Sequence, residues 1–97
     1  MKYTLVVKPS VTAEASTIHA HREREKKGSG DRFVEALVDR YARIKADPNL
    51  FQVRKGDYRH ALLHRLKYRV VFKVKGGTIY IVQVRHTSRD PSKKFGP

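Results

Sequence analysis

The pair Gly76-Gly77 constrains this chain more than any other feature. It separates two runs of β-forming residues, "KYRVVFKV" (67–74) and "TIYIVQVRH" (78–86), and two glycines so placed specify a tight two-residue hairpin. Such a hairpin pairs Lys75 with Thr78, and every later pair follows by counting outward. Side chains alternate along a strand. One face therefore collects Val70, Phe72, Val74, Ile79 and Ile81, and needs cover. The other collects Lys67, Arg69, Val71, Lys73, Tyr80, Val82, Val84 and His86. Arg69 is expected opposite Val84, with His86 as its diagonal neighbour.

A third run, "YRHALLHR" (58–65), precedes these two. A two-residue turn around Leu66 sets His64 opposite Arg69 on the same face; a three-residue turn sends it to the core side. Phe51 to Arg54 can add one short strand. Upstream, "KYTLVVK" (2–8) is a strand stopped by Pro9. Ser10 or Thr12 then caps a helix over residues 11–27, whose closing "HREREKK" reads as a solvated face. "GSG" (28–30) breaks that helix, and Asp31 is placed to cap the next. There Phe33, Leu37, Tyr41 and Ile44 recur at helical intervals, with Val34 and Val38 widening the stripe, until Pro48 ends it. The order is β-α-α-β-β-β, an α+β chain with a helical hairpin packed on one face of an antiparallel meander.

At 97 residues the chain has length for one domain, 1–97, hiding about 60–65% of the unfolded surface. Its charge is lopsided. Residues 1–50 hold 10 basic and 7 acidic side chains (+3), whereas 51–97 hold 12 and 2 (+10), which together give the net +13. A field of that kind recruits polyanions or acidic protein segments. The absence of cysteine excludes disulfides and thiolate metal sites and points to a reducing cytoplasm. The apolar run in "MKYTLVVK" is too short for a signal peptide or a membrane span.

The expected cluster of His64, Arg69 and His86, with Arg89 and the tail lysines at its edge, suits phosphate chemistry. Arginine offers a permanently charged fork of donors that fits a phosphodiester, and a nearby histidine exchanges protons near neutrality. RNA supplies its own 2′-hydroxyl nucleophile. Other chemistry finds little support. The five histidines form no His-Glu-x-x-His zinc-hydrolase motif and have no evident carboxylate partner, and "GSG" lacks the lysine of a phosphate loop.

The element order, "DRFVEALVDRYARIKADPNL", "YRHALLHRLKYRVVFKV" and the ending "IYIVQVRHTSRDP" together resemble the RelE/ParE superfamily of type II toxin-antitoxin toxins, of the plasmid-stabilisation kind. The likeness spans almost the whole chain. It implies a cytoplasmic growth inhibitor held inactive by a cognate acidic antitoxin in a hetero-oligomer, without cofactor, metal or membrane. Val71, Tyr80, Val82 and Val84 would meet the antitoxin. A RelE-like member cleaves messenger RNA on the ribosome. Arg69 would then bind phosphate, His86, Arg89 and His64 would assist, and Lys67, Lys73, Arg85, Lys93, Lys94 and Phe95 would hold the target. Phe95 stands where many RelE-like toxins have tyrosine, and a phenyl ring can stack but cannot donate a proton. A ParE-like member inhibits DNA gyrase by binding, with no catalytic set, and the His86-x-x-Arg89-Asp90-Pro91 ending suits that branch equally. The basic C-terminal half and its histidines tilt the reading toward the ribonuclease. A third reading is a basic nucleic-acid binder without toxicity.

Overall fold

Pro9, which ends the first strand, also starts the first helix. The computed structural model describes residues 2–63 and 65–87. It shows β1 (Thr4–Val7), α1 (Pro9–Glu25), α2 (Ser29–Ala46), a 3-10 turn (Pro48–Leu50), β2 (Val53–Lys55), β3 (Tyr58–Leu63), β4 (Tyr68–Lys75) and β5 (Thr78–His86). Lys8 is the N-cap of α1 and makes no side-chain cap, so neither Ser10 nor Thr12 has the expected role. Proline at the first helical position has no N–H to satisfy and its φ is already helical.

The two helices form a hairpin whose corner is held from an unexpected side. Asp31 does not cap α2. The N-cap is Gly28, in a left-handed conformation (φ 87°), and the Glu23 carboxylate of α1 reaches across to accept from the backbone N–H groups of Gly28 (3.0 Å), Gly30 (2.8 Å) and Asp31 (3.1 Å). An anion at a helix N-terminus satisfies orphan donors and meets the positive end of the helix dipole. Those bonds, that of Gly28 foremost, hold the Glu23 pKa below its ordinary value. Because the folded pKa is depressed, the stabilisation is present above the unfolded pKa and is lost as pH falls through the folded one. Glu23→Gln is therefore expected to lower Tm at pH 7, with the gap to wild type closing in acid. Thermal melts across that pH range check it, and a constant gap would mean that packing, not charge, is lost.

On α2, Phe33, Leu37 and Ile44 are buried, but Val34 and Val38 are exposed, so the apolar stripe is narrower than its sequence. It packs on one face of a five-stranded sheet of order β1-β5-β4-β3-β2. The meander from β2 to β5 is antiparallel, and β1 adds at the outer edge parallel to β5. Phe33, Ile44, Phe72, Ile79 and Ile81 are fully buried, each stabilising the fold by about 1.5–3 kcal/mol. Phe33 tilts onto Tyr68 with centroids 5.0 Å apart, and Phe51 meets Phe72 edge-on at 5.7 Å.

The β4–β5 register starts as the glycine pair requires: Lys75↔Thr78, Val74↔Ile79, Lys73↔Tyr80, Phe72↔Ile81. The next pair is Val71↔Gln83. Val82 is thus an extra residue, a β-bulge, and every later residue of β5 sits on the face opposite to the one reached by uninterrupted counting. Val84 pairs with Val70 and is buried in the core, Arg85 pairs with Arg69, and His86 pairs with Tyr68.

Candidate binding face of the sheet

Counting from the observed register, the face turned away from the helices carries His60 and Leu62 from β3, Arg69, Val71 and Lys73 from β4, and Tyr80, Gln83 and Arg85 from β5. Arg69 stands between Leu62 on one side and Arg85 on the other. Like charges placed directly opposite repel. Arg69 is only 4% exposed, and its Nε and Nη2 have no hydrogen-bond partner among the described residues. Burial, and then the like charges of Arg85 and Arg54, push its pKa below the ordinary guanidinium value. A charge so held is an unmet demand for an anion, and Nε with Nη2 is the edge that grips a carboxylate or phosphate in two bonds.

The expected partners are distributed differently. His86 is on the helix side, its ring edge-on to Tyr68 with centroids 5.2 Å apart, so it is no neighbour of Arg69. The residue opposite Arg69 on β3 is Leu62, and the ladder ends at Leu63↔Tyr68. His64 lies outside the described residues, as do Arg89, Lys93, Lys94 and Phe95. Lys67 is a turn residue with φ 56°, outside β4. Lys73 stays on the expected face, 6.0 Å above the Tyr58 ring. Val71 is buried there, Val82 is the buried bulge residue, Tyr80 is half-buried, and Val84 has moved to the core. The exposed apolar residue beside Arg69 is Leu62 instead.

Three residues that sequence reasoning missed belong to this face or its field. Arg54 acts on Arg69 through charge alone, and no local signal marks it. His60 lies opposite Val71, two pairs along from Arg69 on the same face, and is buried. Gln83 is buried with its Oε1 unpartnered among the described residues, and a glutamine inside the apolar run "IYIVQV" was a visible anomaly. On the helix side, a cleft of about 580 Å³ runs between α1 and the end of β5, lined by Glu14, His21, Arg24, Tyr68 and His86 among others. Burial raises the Glu14 pKa, partly offset by Arg85. The histidines of α1 do have carboxylate neighbours: His19 meets Asp31 at 2.9 Å and His21 meets Glu25 at 3.2 Å. His19, Glu23 and Asp31 lie close enough to share an ion, but the carboxylate of Glu23 already accepts three backbone bonds.

A family model described as the ParE toxin of the type II toxin-antitoxin system parDE matches residues 5–91. Among solved structures, the chromosomal ParDE toxin-antitoxin system of P. aeruginosa superposes with a TM-score of 0.80 at 19% identity, covering 90% of this chain and 98% of that one. A double arginine-to-alanine mutant of E. coli toxin RelE in the free state gives 0.70 at 17% identity, covering 99% and 95%. The archaeal RelE-RelB complex from Pyrococcus horikoshii OT3 gives 0.58 at 17% identity, covering 93% and 100%. No curated protein sequence matches the chain.

Proposed function

This chain belongs to the ParE toxin family of type II toxin-antitoxin systems, and from that premise we propose that it arrests growth by binding DNA gyrase rather than by breaking a bond. The observation that carries this reading is the separation of Arg69 from His86. The bulge at Val82 leaves Arg69 paired with Arg85 on one face and turns His86 to the other, against Tyr68. What remains around Arg69 is an anion-seeking surface flanked by apolar side chains, which suits recognition. The family match supports the same branch. Arg69, Arg85, Arg54 and Lys73 would engage the target, and Arg89, Lys93, Lys94 and Phe95 would extend the contact. No helix among the described residues is long and apolar enough to cross a membrane, and the proposed site of action is the cytoplasm. An acidic antitoxin would cover this face in the resting cell; the similar structures include a ParDE toxin-antitoxin system and a RelE-RelB complex.

Induction of the chain alone, followed by a plasmid supercoiling assay and mapping of message ends, tests the proposal. The expected result is blocked supercoiling with messages intact. A second reading, ribosome-dependent RNA cleavage, is favoured by one observation, namely that His60 shares the face of Arg69. It predicts new message ends that require ribosomes and vanish in His60→Gln, with supercoiling unaffected, and that pattern would overturn the gyrase reading.

A further inference from the structure

We propose that Gln83 and Arg69 together form a three-point pocket that recognises one acidic side chain of the antitoxin and the main-chain N–H beside it. The proposal rests on the toxin-antitoxin reading above and identifies the chemistry of the partner at that face.

The hydrogen-bond inventory points to it. Arg69 Nε, Arg69 Nη2 and Gln83 Oε1 are all buried without a partner among the described residues, in residues only 4% and 7% exposed. Buried polar atoms in native proteins are nearly always paired, because leaving one unmade forfeits its hydration with nothing in return. The bulge brings these two residues to one face. Gln83 pairs with Val71 and Arg69 with Arg85, two residues along each strand, so the two side chains are diagonal neighbours. The pocket thus offers two donors on a rigid fork and one acceptor. A carboxylate answers the fork with both oxygens, and an adjoining N–H answers the acceptor.

A phosphate would answer the fork equally, but the surroundings favour peptide. Leu62, directly opposite Arg69, is 55% exposed. Val6, in register with Tyr80 at the outer edge of the sheet, is also exposed. A large aliphatic side chain beside an unmet cation matches a segment in which acidic and aliphatic residues lie side by side. Nucleic acid gains little from leucine or valine.

The test uses the purified full chain and the antitoxin encoded beside it, with a short oligothymidylate as the second probe. Gln83→Leu removes the acceptor without changing charge, and Arg69→Met removes the fork. Both delete buried unpaired polar atoms, so both are expected to fold, with Tm at or above wild type. The dissociation constant for antitoxin should rise about tenfold in Gln83→Leu and about a hundredfold in Arg69→Met. Oligothymidylate binding should be unchanged in Gln83→Leu. Replacing each antitoxin Asp or Glu by its amide in turn should find one position whose effect disappears in the Arg69→Met background. Antitoxin affinity within twofold of wild type in Gln83→Leu overturns the proposal, as does a loss confined to oligothymidylate, or the lack of any coupled carboxylate. Growth arrest by the chain alone is scored separately, so failure of the pocket is told apart from failure of the toxin reading.

Discussion

Arg69→Met is expected to stabilise the isolated chain by about 1–4 kcal/mol while abolishing growth arrest on induction. The gain is the range seen when a buried ionic group gives way to an apolar side chain of similar volume. Three terms add in the same direction. The residue is 4% exposed, two of its guanidinium nitrogens have no hydrogen-bond partner among the described residues, and its cross-strand partner is another arginine. Methionine keeps the length of the stem and fills irregular space without strain. Arrest is lost because the fork that seeks the target's anion is gone. Denaturant unfolding of the purified variant and plating under induction make the two measurements. Arg69→Lys separates charge from geometry, since an ammonium retains the charge but cannot grip in two parallel bonds. It should therefore remain partly toxic without gaining stability. A destabilised Arg69→Met would show that the guanidinium holds the sheet together, and the functional account of its burial would fail.

Gly30→Ala is the second large effect, and it acts through the backbone. A Cβ at this position would stand 2.5 Å from the His19 carbonyl oxygen, 2.7 Å from Glu23 Cγ and 2.9 Å from His19 Cδ2. The first of these is main chain and cannot rotate away, so α1 and α2 must separate. Overpacking of this kind costs about 1–3 kcal/mol, and more where the neighbour cannot yield, a large share of the roughly 5–10 kcal/mol that holds a domain of this size. Separation also draws the Glu23 carboxylate off the N–H groups it caps. The two sites should therefore be coupled. In the double variant with Glu23→Gln the losses should sum to more than the measured total, because the cap can be lost only once. Simple additivity in urea unfolding would show that the close approach at Gly30 and the cap by Glu23 are independent.

The glycine pair specified four consecutive β4–β5 pairs correctly, because a two-residue turn leaves no freedom in register. Beyond Ile81 the counting fails at Val82. A bulge there needs no special residue, and nothing in "IYIVQVRH" except the misplaced glutamine signals it. The helix stripe was legible in Phe33, Leu37 and Ile44, which repeat at helical spacing, but not in its width, since Val34 and Val38 meet no second layer. The corner cap was invisible because Glu23 and Gly28 are close only after the helices fold back. Arg69 lies on the strand and face that alternation assigned to it, whereas His86 does not share that face. The error in His86 and Val84 comes from the single extra residue at Val82.

By itself, then, the sequence determined the order of elements, the hairpin, the apolar face of the sheet and the basic half of the chain, all properties set by residues near one another along the backbone. Only the tertiary structure decided which charged groups meet. Alternation is local, but its parity along β5 changes with one inserted residue, and that insertion is selected by packing at the strand's far end, where Val84 enters the core and His86 meets Tyr68. The same packing leaves Arg69 facing Arg85, and so gives the toxin its unsatisfied charge.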